Sequence, residues 1–109
     1  MSYRVDTIEH FEREAKKLKR KFPSLKQEIT NLVEELEENP KKGTPLGKGF
    51  YKIRLSIKSK GKGKRGGARV ITYIKIIDET VFLVSIYDKS IKSDIGEDEL
   101  NALFGNIPE

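Results

Sequence analysis

Lys52, Arg54, Arg69, Tyr73, Tyr87 and Lys89 are the side chains of this 109-residue chain whose types and spacing can do chemistry. Lys52 and Arg54 lie two apart, Arg69 and Tyr73 four apart, and Tyr87 and Lys89 two apart. On extended backbone, each even spacing puts its pair on one face of a strand. Where such strands pair antiparallel, side chains on a shared face sit about 5 Å apart across the sheet. If the three faces coincide, the donors surround one anion. Arginine offers a bidentate fork, lysine a point charge, and tyrosine a hydroxyl or a ring on which a base stacks. Such a patch binds phosphate. It can also cut RNA, because attack by the RNA's own 2′-OH needs no metal. The attack needs alignment, stabilisation of a dianionic phosphorane and two proton transfers. Crowded cations also lower a lysine's pKa towards that of a usable base.

The charge distribution points the same way. Residues 39–76 hold 12 Lys or Arg and no Asp or Glu, residues 1–38 hold 8 basic and 9 acidic, and residues 77–109 hold 2 and 8. The net +5 is therefore a cationic middle between acidic ends, and a polyanion is its natural partner. A solvated hairpin loop is the plainer explanation, but a surface kept merely soluble mixes both signs. With no Cys, disulfides, thiolate metal sites and a cysteine nucleophile are excluded. The one histidine, His10, cannot build a metal site and reads as a helix-surface residue. No apolar run reaches the ~18 residues of a membrane span. The first residues lack the apolar core of a signal peptide, so the expected location is the cytoplasm. The length suits one domain over residues 1–109.

The positioning elements follow from periodicity. Residues 2–5 are compatible with a short strand. Asp6 or Thr7 can cap a helix whose apolar stripe is Ile8, Phe11, Ala15, Leu18 and Phe22. Pro23 ends it, and Ser24 can cap a second helix with Leu25, Ile29, Leu32, Val33 and Leu36, which stops at Asn39-Pro40. Residues 40–49 read as a loop punctuated by Gly and Pro. From Phe50 the chain alternates, with Tyr51, Ile53, Leu55 and Ile57 on one face and Lys52, Arg54, Ser56 and Lys58 on the other. A Lys/Gly/Arg connection then leads to a strand from Arg69 to Ile76. Residues 81–86, apolar on both faces, read as a central strand. Ser93 or Asp94 can cap a short last helix. The expected fold is α+β: a short N-terminal strand, an antiparallel helical pair, a three-stranded antiparallel meander and a short C-terminal helix. Phe50, Tyr3 and Tyr51 read as packing residues, and Tyr73 and Tyr87 fit packing or base stacking equally.

The stretches NPKKGTPLGKGFYKIRLSIKSKGKGKRGGARVITYI and VFLVSIYDKSIKSDIGEDEL carry a family likeness. The chain resembles the RelE/ParE superfamily of toxins from bacterial type II toxin–antitoxin modules, and within it the HigB/RelE-like group. The resemblance implies a microbial-RNase-like fold whose sheet face cuts mRNA on the ribosome by 2′-OH attack, without metal or cofactor. It implies a cognate antitoxin, the ribosome and mRNA as partners. Arg54 and Arg69 would stabilise the phosphate and transition state. Lys52 and Lys89 would contact RNA or move protons, and Tyr87 would stack on or position a base. Lys58, Lys60, Lys62, Lys64 and Arg65 would bind RNA, with Tyr73 beside them. Several relatives place a catalytic tyrosine in the last helix, whereas this chain has none after Tyr87, so the proton-transfer groups are the open part of the site. The same scaffold carries ParE proteins, which inhibit DNA gyrase, and a non-catalytic RNA-binding domain is the third alternative.

Overall fold

The computed structural model describes residues 2–60 and 66–109. Lys62, Lys64 and Arg65 of the expected RNA-binding set lie outside the described residues. The chain runs β1 (Arg4–Thr7), α1 (Glu9–Lys21), α2 (Leu25–Glu38), β2 (Thr44–Gly47), β3 (Phe50–Leu55), a single 3₁₀ turn (Lys58–Lys60), β4 (Ala68–Lys75), β5 (Thr80–Asp88) and α3 (Glu97–Phe104). The five strands form one sheet in the order β1-β5-β4-β3-β2. β1 is parallel to β5 and every other pair is antiparallel. The α+β class and the meander β3-β4-β5 agree with the expectation from sequence. The sheet is wider by one strand, because residues 44–47, read as loop, pair with the start of β3. Pro45 is tolerated there because an edge strand has one side on which no N–H is needed.

One apolar core holds the layers together. Phe11, Ala15, Leu25, Leu32 and Leu36 of the helices meet Ile53, Val70, Leu83 and Ile86 of the sheet. All nine residues of β5 are buried, as a strand between two neighbours requires. Leu36 is fully buried, so Leu36→Ala should remove about 2–5 kcal/mol of stability. Urea unfolding checks this, and a loss under 1 kcal/mol would mean that α2 is not packed as described.

The helix starts differ from expectation. Ile8, not Asp6 or Thr7, occupies the N-cap of α1, without a side-chain cap. Its acidic first turn (Glu9, Glu12) and basic last turn (Lys19, Arg20, Lys21) match the helix dipole instead. Ser24 takes the N-cap position of α2, as expected, but its side chain makes no cap hydrogen bond. Its hydroxyl pairs with Ser59 Oγ at 2.8 Å and donates to Glu28, while Glu28 also accepts the Lys58 N–H at 2.7 Å. These bonds tie the start of the basic connection to the start of α2. α3 begins after Gly96, so neither Ser93 nor Asp94 caps it.

β1 pairs only with the first half of β5, from Thr80 to Leu83. Past that point α1 covers the edge. Glu14 accepts from Ser85 Oγ at 2.8 Å and from the Ile86 N–H at 3.2 Å, and His10 Nε2 lies 3.0 Å from the same oxygen. A buried edge donor is thereby satisfied.

Candidate RNA-cleaving face

Register brings the predicted residues together. Arg54 pairs with Arg69, and Arg69 pairs with Tyr87, so one row crosses three strands. The next row is Lys52, Ile71 and Ser85, and beyond it Phe50 stands opposite Tyr73, which stands opposite Phe82. Directly opposed residues share a face. Phe50, Lys52 and Arg54 therefore lie on the side of the sheet that carries Arg69, Tyr73 and Tyr87. The helical pair covers the other side.

Two arginines side by side repel unless an anion lies between them. Arg69 is 5% exposed, and its Nη1 donates to the Ala68 carbonyl at 3.1 Å. Burial, and then the charge of Arg54, lowers its pKa from the ordinary arginine value, although a guanidinium stays protonated at neutral pH. The row is a cationic seat held in place before any ligand arrives.

Tyr87 is also 5% exposed, and its hydroxyl is buried. Burial first, and the nearby negative charge of Asp94 second, push its pKa up to about 12. At neutral pH it is a phenol, with the Asp94 carboxylate as the acceptor beside it. Lys92 Nζ lies 5.3 Å over its ring and pairs with Glu99 of α3. Lys89, just past β5, donates to the Ser93 carbonyl at 2.7 Å.

Asp94 is the residue that sequence reasoning missed. The cationic stretch itself contains no carboxylate, but Asp94 arrives from the segment after β5. Its Oδ1 lies 3.2 Å from Lys52 Nζ and accepts the Ile95 N–H at 2.9 Å. That N–H first, and Lys52 second, hold its pKa below the usual carboxylate value, and Lys89 acts in the same direction. Buried Ile95 anchors the segment. A carboxylate thus stands among Lys52, Arg69, Tyr87 and Lys89. The only sequence signal for it was an acidic residue close behind an end-of-strand cation.

Two predicted RNA contacts sit elsewhere. Lys60 turns inward: its amine pairs with buried Asp88 and reaches Ser90 Oγ at 3.2 Å. It also lies 5.7 Å from the centre of the Phe22 ring. Asp88 accepts from Ser90 Oγ at 2.7 Å as well. Burial alone would raise the Asp88 pKa, but the bonds from Lys60 and Ser90 outweigh it and hold the value low. Lys60 therefore anchors the connection. Lys58 stays exposed. Tyr73 packs against Phe50 at 5.2 Å and Phe104 at 5.6 Å between ring centres, in an aromatic group where α3 crosses the sheet.

Comparisons with known proteins agree with this architecture. The free E. coli toxin RelE, as a variant with two arginines changed to alanine, is 17% identical with a TM-score of 0.64, over 97% of this chain and 94% of that one. The isolated E. coli RelE toxin gives 18% and 0.62, over 97% and 100%. The RelBE2 toxin–antitoxin complex from Mycobacterium tuberculosis contains a chain at 19% and 0.60, over 81% and 92%. At these identities the likeness shows the fold. The family follows from a sequence model described as the RelE toxin of the RelE/RelB toxin–antitoxin system, which matches residues 3–105, so the chain belongs to the RelE toxin family.

Proposed function

We propose that this protein is an endoribonuclease toxin that cuts mRNA on the ribosome and is held inactive by a cognate antitoxin. The observation that carries this reading is the row Arg54-Arg69-Tyr87, flanked by Lys52 and Lys89. The RNA 2′-oxygen attacks the adjacent phosphorus and the bond to the 5′-oxygen breaks. The products are a 2′,3′-cyclic phosphate and a 5′-OH. Arg54 and Arg69 stabilise the phosphorane, whose charge exceeds that of the ground state, so their effect falls on the rate. Charge neutralisation is assigned to these cations, because two guanidinium groups stand side by side in the row. Tyr87 donates a hydrogen bond to a phosphate oxygen. Lys52 is the proton-transfer candidate, released when RNA takes Asp94's place. The acidic partner that covers this face is the antitoxin, a reading supported by the RelBE2 complex among the similar structures.

Mapping of mRNA 5′ ends after brief expression in a bacterial host tests the proposal. New ends should appear inside translated codons and be absent with the Arg54→Ala/Arg69→Ala double variant. Growth arrest with intact mRNA would instead favour gyrase inhibition.

Asp94→Asn gives a second test. In the Lys52–Asp94 pair the carboxylate is exposed and the lysine partly so, so breaking it costs about 1 kcal/mol or less of stability. RNA affinity should rise about threefold, and the slope of log K against log salt should steepen by about one counterion. A hundredfold loss of cleavage at unchanged affinity would make Asp94 a proton-transfer group.

A further inference from the structure

Where α3 crosses the sheet, a cavity of about 350 Å3 is lined by Lys48, Phe50, Tyr73, Asn101 and Phe104. Phe50 forms its floor, while Phe104 is 52% exposed, high for a large aromatic side chain. The Phe104 ring stands edge-on to both Phe50 and Tyr73, which leaves a face open. Asn101 lies three residues before Phe104, on the same side of α3. Its amide has no hydrogen-bond partner among the described residues.

Lys48 adds a separate observation. It is at the β2–β3 turn with φ +56°, between Gly47 at +92° and Gly49 at +90°. Glycine is required at 49, since a Cβ there would lie 3.0 Å from the Tyr73 ring. At 48 the two-residue hairpin loop itself asks for a left-handed φ. Asn or Gly meets that demand most readily, so the lysine is not what the turn alone would select. Lys48 is exposed and forms no ion pair among the described residues.

The cavity adjoins the cationic face. A second cavity of about 380 Å3 shares Lys48, Phe50 and Asn101 and extends to Asp94, which is bonded to Lys52. Tyr73 and Arg69 are four residues apart on one face of β4, about 13 Å, a span that one or two linked nucleotides bridge. Glu97 and Asp94 border the connecting part, so a phosphate is directed to Lys48 and a base to the rings.

We propose that this cavity is a nucleotide subsite flanking the cleaved phosphate. Phe104 and Tyr73 take the base by stacking, Asn101 bonds its edge, and Lys48 holds its phosphate. The inference rests on the cleavage reading for its place on the RNA, but binding can be tested separately.

The test is an NMR titration with a 2′-O-methylated trinucleotide, which cannot be cut. The amides of Lys48, Asn101 and Phe104 form one reporter group, and those of Arg54, Arg69 and Tyr87 the other. Both groups should shift with one midpoint. Phe104→Leu should weaken binding about tenfold, as loss of a stacking ring does. Lys48→Asn should weaken it about fivefold while leaving the melting temperature equal or higher, because Asn suits the turn. Shifts confined to the arginine group, or Lys48→Asn binding like the parent, would overturn the subsite and leave the cleavage reading standing. Shifts confined to the Lys48 group would support the subsite and count against the cleavage reading. Silence in both groups would overturn both.

Discussion

Arg69→Ala should lower RNA cleavage by about 10²–10³-fold, the loss that follows removal of one preorganised transition-state donor. Arg69 sits in the middle of its row, opposed by Arg54 on β3 and Tyr87 on β5, so no other cation can take its position. It is nearly buried, and the orientation of its fork is fixed before RNA binds. Arg69→Lys keeps the charge and loses the planar fork, so it should recover only part of the activity. The measurement is cleavage rate at saturating RNA, beside a melting curve showing that both variants fold. Unchanged toxicity of Arg69→Ala would remove the row as the site.

The second large effect concerns stability. In Asp88→Ala, the Lys60 amine loses its carboxylate inside the protein, where the two side chains are 3% and 8% exposed. Removing one partner of a buried pair costs about 3–5 kcal/mol, to be measured by urea unfolding. The pH dependence has a definite sign. The folded-state pKa of Asp88 lies below the ordinary value of 3.8. The unfolded chain therefore binds the proton more readily. The stabilisation is complete above about the ordinary carboxylate pKa and is lost as pH falls through the lower folded value. Asp88→Ala should flatten this acid limb. An unchanged limb would show that Asp88 does not contribute to it. Because Asp88 lies between Tyr87 and Lys89, and Lys60 leads into the basic connection, loss of the pair should also disorder the site. Activity should then fall even where the variant is still folded.

Much of this was legible in the sequence because strand alternation has period two. Lys52 with Arg54, and Arg69 with Tyr73, were placed on shared faces by spacing alone, and apolar residues 81–86 marked a central strand. The parts that were not legible depend on partners distant in sequence. TPLG holds Pro and Gly and reads as a loop, and only pairing with β3 makes it a strand. Lys60 looks like the other loop cations, and its inward turn depends on Asp88, 28 residues later. Asp94 fits a helix cap equally well by type. Its contact with Lys52 spans 42 residues, and its place close behind Lys89 is the one local trace of it. Ser24 is similar, since its hydroxyl bonds Glu28 and Ser59 and not the free N–H groups of its helix start. Side-chain polarity identifies a group that needs a partner and leaves the partner unnamed.

The central claim is that the Arg54-Arg69-Tyr87 row cuts RNA through the RNA's own 2′-OH. The most direct measurement uses purified protein and ribosome-bound mRNA with a single 2′-deoxy nucleotide on the 5′ side of the mapped cut. The account predicts that this one change abolishes cleavage there, while the all-ribose message yields a 2′,3′-cyclic phosphate and a 5′-OH. Equal cutting of the deoxy-substituted message, or products ending in a 5′-phosphate, would contradict it.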